Sequence, residues 1–317
     1  MSVITDQTIQ VDRVDHPLLS GMGVELLVRR EDRLHTQISG NKWHKLKYNL
    51  AQAKAQGCDT ILSFGGAYSN HLHALAYAGR KHGLKTIGII RGELPKPLNP
   101  SLQDMQDWGM QLVPVSRSDY KKRDQTVFCR QLMQDFGNCY LVPEGGSNTA
   151  ALQGCAELGM DILRQTPDFD VLAVPCGTGA TLAGLACGLQ GSGVELLGFA
   201  ALKGAREGLR SNITALAHSA GYQGAESWRL IDDFHCGGFA KITPELVRFL
   251  DDWRKFSPIP LEPVYTGKMF YGLFQLVAKS AFPENTRIVT LHTGGLQGLR
   301  GMEPKMAALR ARADLHE

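Results

Sequence analysis

The sequence predicts an α/β protein of two domains, with parallel-rich twisted sheets flanked by helices. Two observations predict it. A short apolar run, then glycines, then a helical pattern recurs four times along the chain, which is the sequence form of a strand, a ligand-facing turn and a helix. At 317 residues, the chain also exceeds the length at which one core usually splits into two.

In chain order, the first marked element lies in ISGNKWHKLKYNL, residues 38–50. Trp43, Leu46, Leu50 and Ala53 recur at three- and four-residue spacing and predict a helix with one apolar face, Asn41 being its expected cap. DTILSF (59–64) predicts a strand leading into the glycine turn and helix GGAYSNHLHALAYAGRKHG (65–83). KTIGIIR (85–91) and QLVPV (111–115) read as further strands, with GELPKPLNP (92–100) a proline-bearing loop between them and a helix expected over 120–136. CYLVP (139–143) leads into EGGSNTAALQGCAELGMDIL (144–163), and DVLAVP (170–175) into CGTGATLAGLACGL (176–189). VELLGFA (194–200) is another strand, the polar AHSAGYQGAESW (217–228) a loop, and 244–255 a helix. RIVTL (287–291) closes the series by leading into HTGGLQGLRGM (292–302). Strands alternating with helices imply parallel sheets covered on both faces, whose ligands bind at the carboxyl ends of the strands. The glycine turns fall there and are placed to converge on one small molecule.

Composition removes several function classes. Charged residues are 21% of the chain and the formal net charge is +3, too small and dispersed for a nucleic-acid surface. A small anionic ligand remains compatible. Seven cysteines (58, 129, 139, 155, 176, 187 and 236) form an odd set without a CxxC pair, which argues against a disulfide framework or structural zinc and fits a reducing cytoplasm. The amino-terminal stretch lacks the basic-then-apolar order of a secretory signal, and no apolar run is long enough to span a bilayer.

Four motifs carry candidate chemistry. Lys42 falls at the positive end of a helix dipole with Lys45 one turn on, and both effects favour the neutral amine that Schiff-base chemistry requires. CGTGATLAGL is an anion cradle in which Thr178, Thr181 and free amides at a helix start can hold a phosphate. It is not a dinucleotide fingerprint, because Leu182 stands where the third glycine belongs, nor a Walker loop, because no GK[ST] follows. In GGAYSNHLHALA, Ser69 and Asn70 open a helix where they could grip a carboxylate or a phenolate, although either also serves as a plain cap. His71 and His73 fall on different helix faces and no nearby carboxylate completes a metal set, so no metal is expected. EGGSNTAA reads as a domain-joining turn near the ligand, and LEPVYTGKMFYGL presents Tyr265, which could transfer protons, and Thr266 before a helix. No nucleophile elbow appears, which counts against a hydrolase.

Taken together, SGNKWHKLKYNL, SFGGAYSNH, PEGGSNTAALQG, CGTGATLAGL, PVYTGK and HTGG, in this order over residues 39–295, resemble one family. The chain is similar to the D-cysteine desulfhydrase and 1-aminocyclopropane-1-carboxylate deaminase group of pyridoxal-phosphate enzymes, which have the fold type II architecture of tryptophan synthase β. The resemblance implies pyridoxal 5'-phosphate bound through Lys42, which then moves the Cα proton. It also implies that Asn70 bonds the ring phenolate, that Gly177, Thr178, Gly179, Ala180 and Thr181 hold the phosphate, and that Ser69 takes the substrate carboxylate. His71 and Thr266 are expected around the substrate and Thr293 at the cofactor ring, while Tyr265 is the candidate for protonating the leaving group. By the same likeness, residues 1–51 with 155–317 form a large cofactor-binding domain and 52–154 a small one, in a homodimer.

Two positions discriminate within the group. Members that open the cyclopropane ring carry glutamate where this chain has Thr266 and leucine where it has Thr293, whereas desulfhydrases carry hydroxyl residues at both. The expected activity is therefore β-elimination from a small amino acid, D-cysteine first, giving pyruvate, ammonia and hydrogen sulfide; cyclopropane deamination is the alternative. Phe239 stands where the family usually has an active-site tyrosine, which leaves open a different β-substituted substrate, or a cofactor-binding protein without turnover.

Overall fold

The computed structural model describes residues 8–166, 168–204, 206–222 and 228–313. Among the described residues, ten strands form two sheets: β1 (Val11–Arg13), β2 (Glu25–Arg29), β3 (Thr60–Gly65), β4 (Lys85–Arg91), β5 (Met110–Val115), β6 (Cys139–Val142), β7 (Val171–Cys176), β8 (Glu195–Ala200), β9 (Trp228–Ile231) and β10 (Arg287–Leu291). The larger sheet has the order β1-β2-β10-β7-β8-β9 and is parallel except for β1, which runs antiparallel to β2. The smaller sheet, β5-β4-β3-β6, is wholly parallel. The recurring strand, turn and helix of the sequence are thus crossover units, and both sheets are covered by helices.

Period-2 alternation divides each central strand between two cores. On β7, Val171 and Ala173 join a cluster with Leu246, Leu250, Met269 and Phe270, whereas Leu172 and Val174 join one with Leu158, Leu182 and Leu185. Burial on both faces explains why DVLAVP reads as an almost continuous apolar run. In the smaller sheet, Ile61 packs with Leu72 and Leu75 on one face, and Leu62 and Phe64 with Ile87, Tyr120 and Leu132 on the other.

The helix Lys42–Ala55 buries Trp43, Leu46, Leu50 and Ala53, the four residues whose spacing predicts it. Those side chains enter the same core as Ile61, so the helix carrying Lys42 lies on the smaller sheet. The carboxyl ends of β3, β7 and β10 open directly into residues 66–69, 177–179 and 292–295.

Three departures from expectation have local causes. The helix expected over 120–136 is two helices, Arg117–Tyr120 and Thr126–Phe136, because the polar run KKRDQ between them presents no apolar face to bury. The loop expected over 217–228 is described only at its ends: residues 217–219 finish the helix Arg206–Ser219 and Trp228 opens β9, while residues 223–227 lie outside the described residues, as do residues 1–7. Strands β1 and β2 were not evident in the sequence, since three to five residues rich in charge give no period; Arg29 is nonetheless buried, paired with Glu31 at 2.7 Å.

Candidate active site

Lys42 is the first residue of its helix and is reached through the turn Ser39, Gly40, Asn41. Ser39 Oγ donates to Asp32 O at 3.2 Å and the Gly40 amide to Glu31 O at 3.0 Å. Gly40 has φ +68°, and a Cβ added there would lie 1.9 Å from Thr293 O, so only glycine lets this turn rest on the segment after β10. Lys42 is half-buried and its Nζ donates to Asn41 Oδ1 at 2.6 Å. Its pKa is lowered to about 7, first by burial and then by the Lys45 charge, with Glu262 opposing. Lys45 is itself buried and donates Nζ to Gly145 O at 2.9 Å; burial lowers its pKa too.

Asn41 holds the expected N-cap position without a side-chain capping bond. Its backbone, at φ −60° and ψ −7°, is already helical. Instead Nδ2 donates to Thr181 Oγ1 at 2.7 Å, joining the lysine turn to the glycine cradle.

The cradle runs from the end of β7 into the helix Ala180–Gly188. Gly179, at φ +94°, starts that helix without any side-chain cap, which leaves its first amides available to an anion. Thr178 Oγ1 accepts from Ser147 Oγ at 2.7 Å, and Thr178 O accepts from Asn212 Nδ2 at 2.8 Å. The turn EGGSNTAA therefore braces the cradle. A Cβ added at Gly177 would lie 3.1 Å from Tyr265 Cε1, so the Tyr265 ring closes one side of the loop.

At the end of β3, Ser69 caps the helix Asn70–His82: its Oγ accepts from the Leu72 amide at 3.2 Å and so keeps a proton to donate. Asn70 Oδ1 accepts from Gln297 Nε2 at 2.7 Å, which leaves its Nδ2 as a donor. His71 departs from the expected substrate contact, because it points inward. Ser63 Oγ gives its proton to Val142 O at 2.7 Å, so the 2.9 Å contact with His71 Nε2 has the imidazole as donor. Burial, then Lys45 and Lys42, lower the His71 pKa to about 3, and its Nδ1 has no partner among the described residues. His73 turns the other way, to Asp104 at 3.0 Å, a carboxylate also held by Arg300.

The fourth segment holds a residue that sequence reasoning missed. Glu262, a buried carboxylate, accepts the amides of Val264, Tyr265 and Thr266 at 2.7, 2.8 and 2.6 Å. Burial raises its pKa against the pull of these bonds. The only sequence signal was an acid between Leu261 and Pro263 just before a helix start, where a carboxylate satisfies free amides. Thr266, expected at the substrate, is 0% exposed, and its Oγ1 lies 3.2 Å from Glu262 Oε1. Burial, then Glu262, raise the pKa of half-buried Tyr265, which keeps the phenol protonated at neutral pH. Thr293 is buried, with its backbone oxygen facing Gly40.

The structure thus gathers a depressed lysine, an anion cradle, a hydroxyl and an amide at a helix start, and a protonated phenol. Such a set can bind a phosphorylated aldehyde, hold a carboxylate, and move a proton at two points.

Comparison with known proteins agrees with this chemistry. The family described as pyridoxal-phosphate dependent enzyme matches residues 9–294. A crystal structure of an ACC deaminase homologue superposes with a TM-score of 0.86 at 28% identity, covering 96% of this chain and 95% of that one. The bifunctional D-cysteine desulfhydrase/1-aminocyclopropane-1-carboxylate deaminase of Arabidopsis thaliana, named as mitochondrial, is 29% identical over 90% of this chain and 76% of its own length. D-cysteine desulfhydrase of Klebsiella pneumoniae is 26% identical over 90% of this chain and 91% of its own. No helix among the described residues is long and apolar enough to cross a membrane.

Proposed function

The chain belongs to the family of pyridoxal-phosphate-dependent enzymes, and from that premise we propose that it catalyses β-elimination on a small β-substituted amino acid, D-cysteine first, releasing pyruvate, ammonia and hydrogen sulfide. One observation carries the reading: the Lys42 amine, neutral in part near pH 7, is joined through Asn41 to Thr181 of the cradle. The residues fit the cofactor, since the uncapped amides after Gly179 suit its phosphate and a neutral amine suits its aldehyde. When bound, pyridoxal phosphate supplies an electron-withdrawing ring that stabilises negative charge at the substrate Cα.

The protein's own groups supply the rest. Residues 177–181 would hold its phosphate, and Asn70, its oxygen occupied by Gln297, would offer Nδ2 to the ring's phenolate oxygen. Ser69 offers its free proton to the substrate carboxylate at the start of a helix, where the dipole favours an anion. Lys42 accepts the Cα proton. Tyr265, held protonated, donates to the departing sulfur as the Cβ–S bond breaks. We place these groups in a cleft between the segment 52–154 and the remainder of the chain.

The relatives carry names for both D-cysteine desulfhydration and cyclopropane deamination, so deamination of 1-aminocyclopropane-1-carboxylate is the second reading. Thr266 and Thr293, hydroxyl residues where ring-opening members of the group carry glutamate and leucine, support the first. Release of the 2-oxo acid, pyruvate from D-cysteine, L-cysteine and D-serine and 2-oxobutanoate from the cyclopropane acid, measured side by side, tests the choice. Fastest release from D-cysteine supports it, release from the cyclopropane acid alone selects the alternative, and cofactor binding with no turnover selects a degenerate site.

A further inference from the structure

Phe239 presents an aromatic ring to the space beside Tyr265. It is 44% exposed, and its ring centroid lies 6.0 Å from that of Tyr265 in an edge-on arrangement. The segment carrying it is held in costly backbone geometry: Cys236 and Ala240, neither of them glycine, sit at φ +51° and +53°. Its anchor is Lys268, 2% exposed, whose Nζ donates to Gly238 O at 2.7 Å. Lys268 stands three residues after Tyr265, so one helix start carries both the phenol and the tether. A strained segment fixed by a buried amine so that a phenyl ring stays open beside a phenol is an arrangement that core packing alone does not require.

We propose that Phe239 is a specificity-determining residue that, with Tyr265, walls the space receiving the substrate's β-substituent and selects an S-alkyl cysteine over free cysteine, Lys268 being the residue that positions the ring. This rests on the elimination reading above and revises its order of substrates, placing an S-alkyl cysteine ahead of free D-cysteine. A phenyl face gives a thioether apolar area and a sulfur–aromatic contact, whereas it offers a thiol or thiolate no hydrogen bond and removes its water. The reaction balances without a further reactant. The Cβ–S bond breaks with its electron pair going to sulfur, which takes a proton to become the alkanethiol, and water hydrolyses the remaining three-carbon fragment to pyruvate and ammonium.

The test uses the holoenzyme, with cofactor absorption recorded for each variant to show that the site is loaded. Pyruvate-forming kcat/KM is measured for cysteine, S-methylcysteine and S-ethylcysteine in both enantiomers, for wild type, Phe239→Tyr, Phe239→Ala and Lys268→Met. The wild type favours S-methylcysteine over cysteine and gains about fourfold more with the added methylene. Phe239→Ala and Phe239→Tyr lower the S-methyl to free-thiol ratio by about tenfold, and Lys268→Met lowers it in the same sense. A wild type that prefers the free thiol, or Phe239 variants that keep the wild-type ratio, overturns the inference while leaving elimination intact. Pyruvate from none of these substrates or from D-serine, with cofactor bound, sinks the elimination reading itself. Should Lys268→Met fail to fold, the two Phe239 variants decide.

Discussion

Asn41 donates its side-chain amide to the Thr181 hydroxyl at 2.7 Å, although the two residues are 140 positions apart in sequence. The same side chain accepts from Lys42 Nζ at 2.6 Å. One amide therefore fixes the distance between the amine and the cradle. Asn41→Ala is expected to weaken pyridoxal phosphate binding about tenfold, the worth of roughly one hydrogen bond. Titration of the apoprotein with cofactor, followed by absorption, measures it.

Lys42 also has a signature without cofactor. Its pKa is about 7 folded and in the ordinary lysine range unfolded, so the unfolded chain binds more protons between these values and stability rises with pH across that window. Below pH 7 the folded state bears the full cost of a charged, confined amine. Lys42→Met apoprotein is therefore expected to resist urea better than wild type at pH 7, with the gap narrowing as pH approaches 10. Urea midpoints at several pH values check the sign.

Glu262 holds three backbone amides at the start of the Tyr265 helix. Glu262→Gln replaces one acceptor by a donor aimed at those amides and is expected to cost about 1–3 kcal/mol. Calorimetry on the purified variant reads this as a fall in Tm.

Gly40→Ala combines a left-handed backbone with a Cβ placed on the Thr293 carbonyl. Loss of more than about 2 kcal/mol is expected, together with weakened cofactor binding, because the turn must leave the 292–295 segment. Paired urea and absorption titrations separate the two effects.

What the sequence disclosed followed from physical range. Local periodicity located the Lys42 helix, because Trp43, Leu46, Leu50 and Ala53 must all reach one core. The glycine turns were legible because close backbone approach leaves few alternatives to glycine. Asn41 was legible as the residue that opens the helix but not as the link to the cradle, because nothing near it in sequence announces Thr181. Glu262 was missed because its partners are backbone amides, which carry no letter. Sequence placed Lys42 at a helix start and named the dipole and Lys45 as the causes of its low basicity; burial, which depends on the whole fold, comes first.

The central claim is that Lys42 is the amine that takes the cofactor's aldehyde. Absorption spectra of wild type and Lys42→Ala, each mixed with pyridoxal phosphate and dialysed, test it most directly. The account predicts a retained visible band in wild type, abolished by borohydride reduction, and none in the variant. A Lys42→Ala protein that keeps the wild-type band would contradict it.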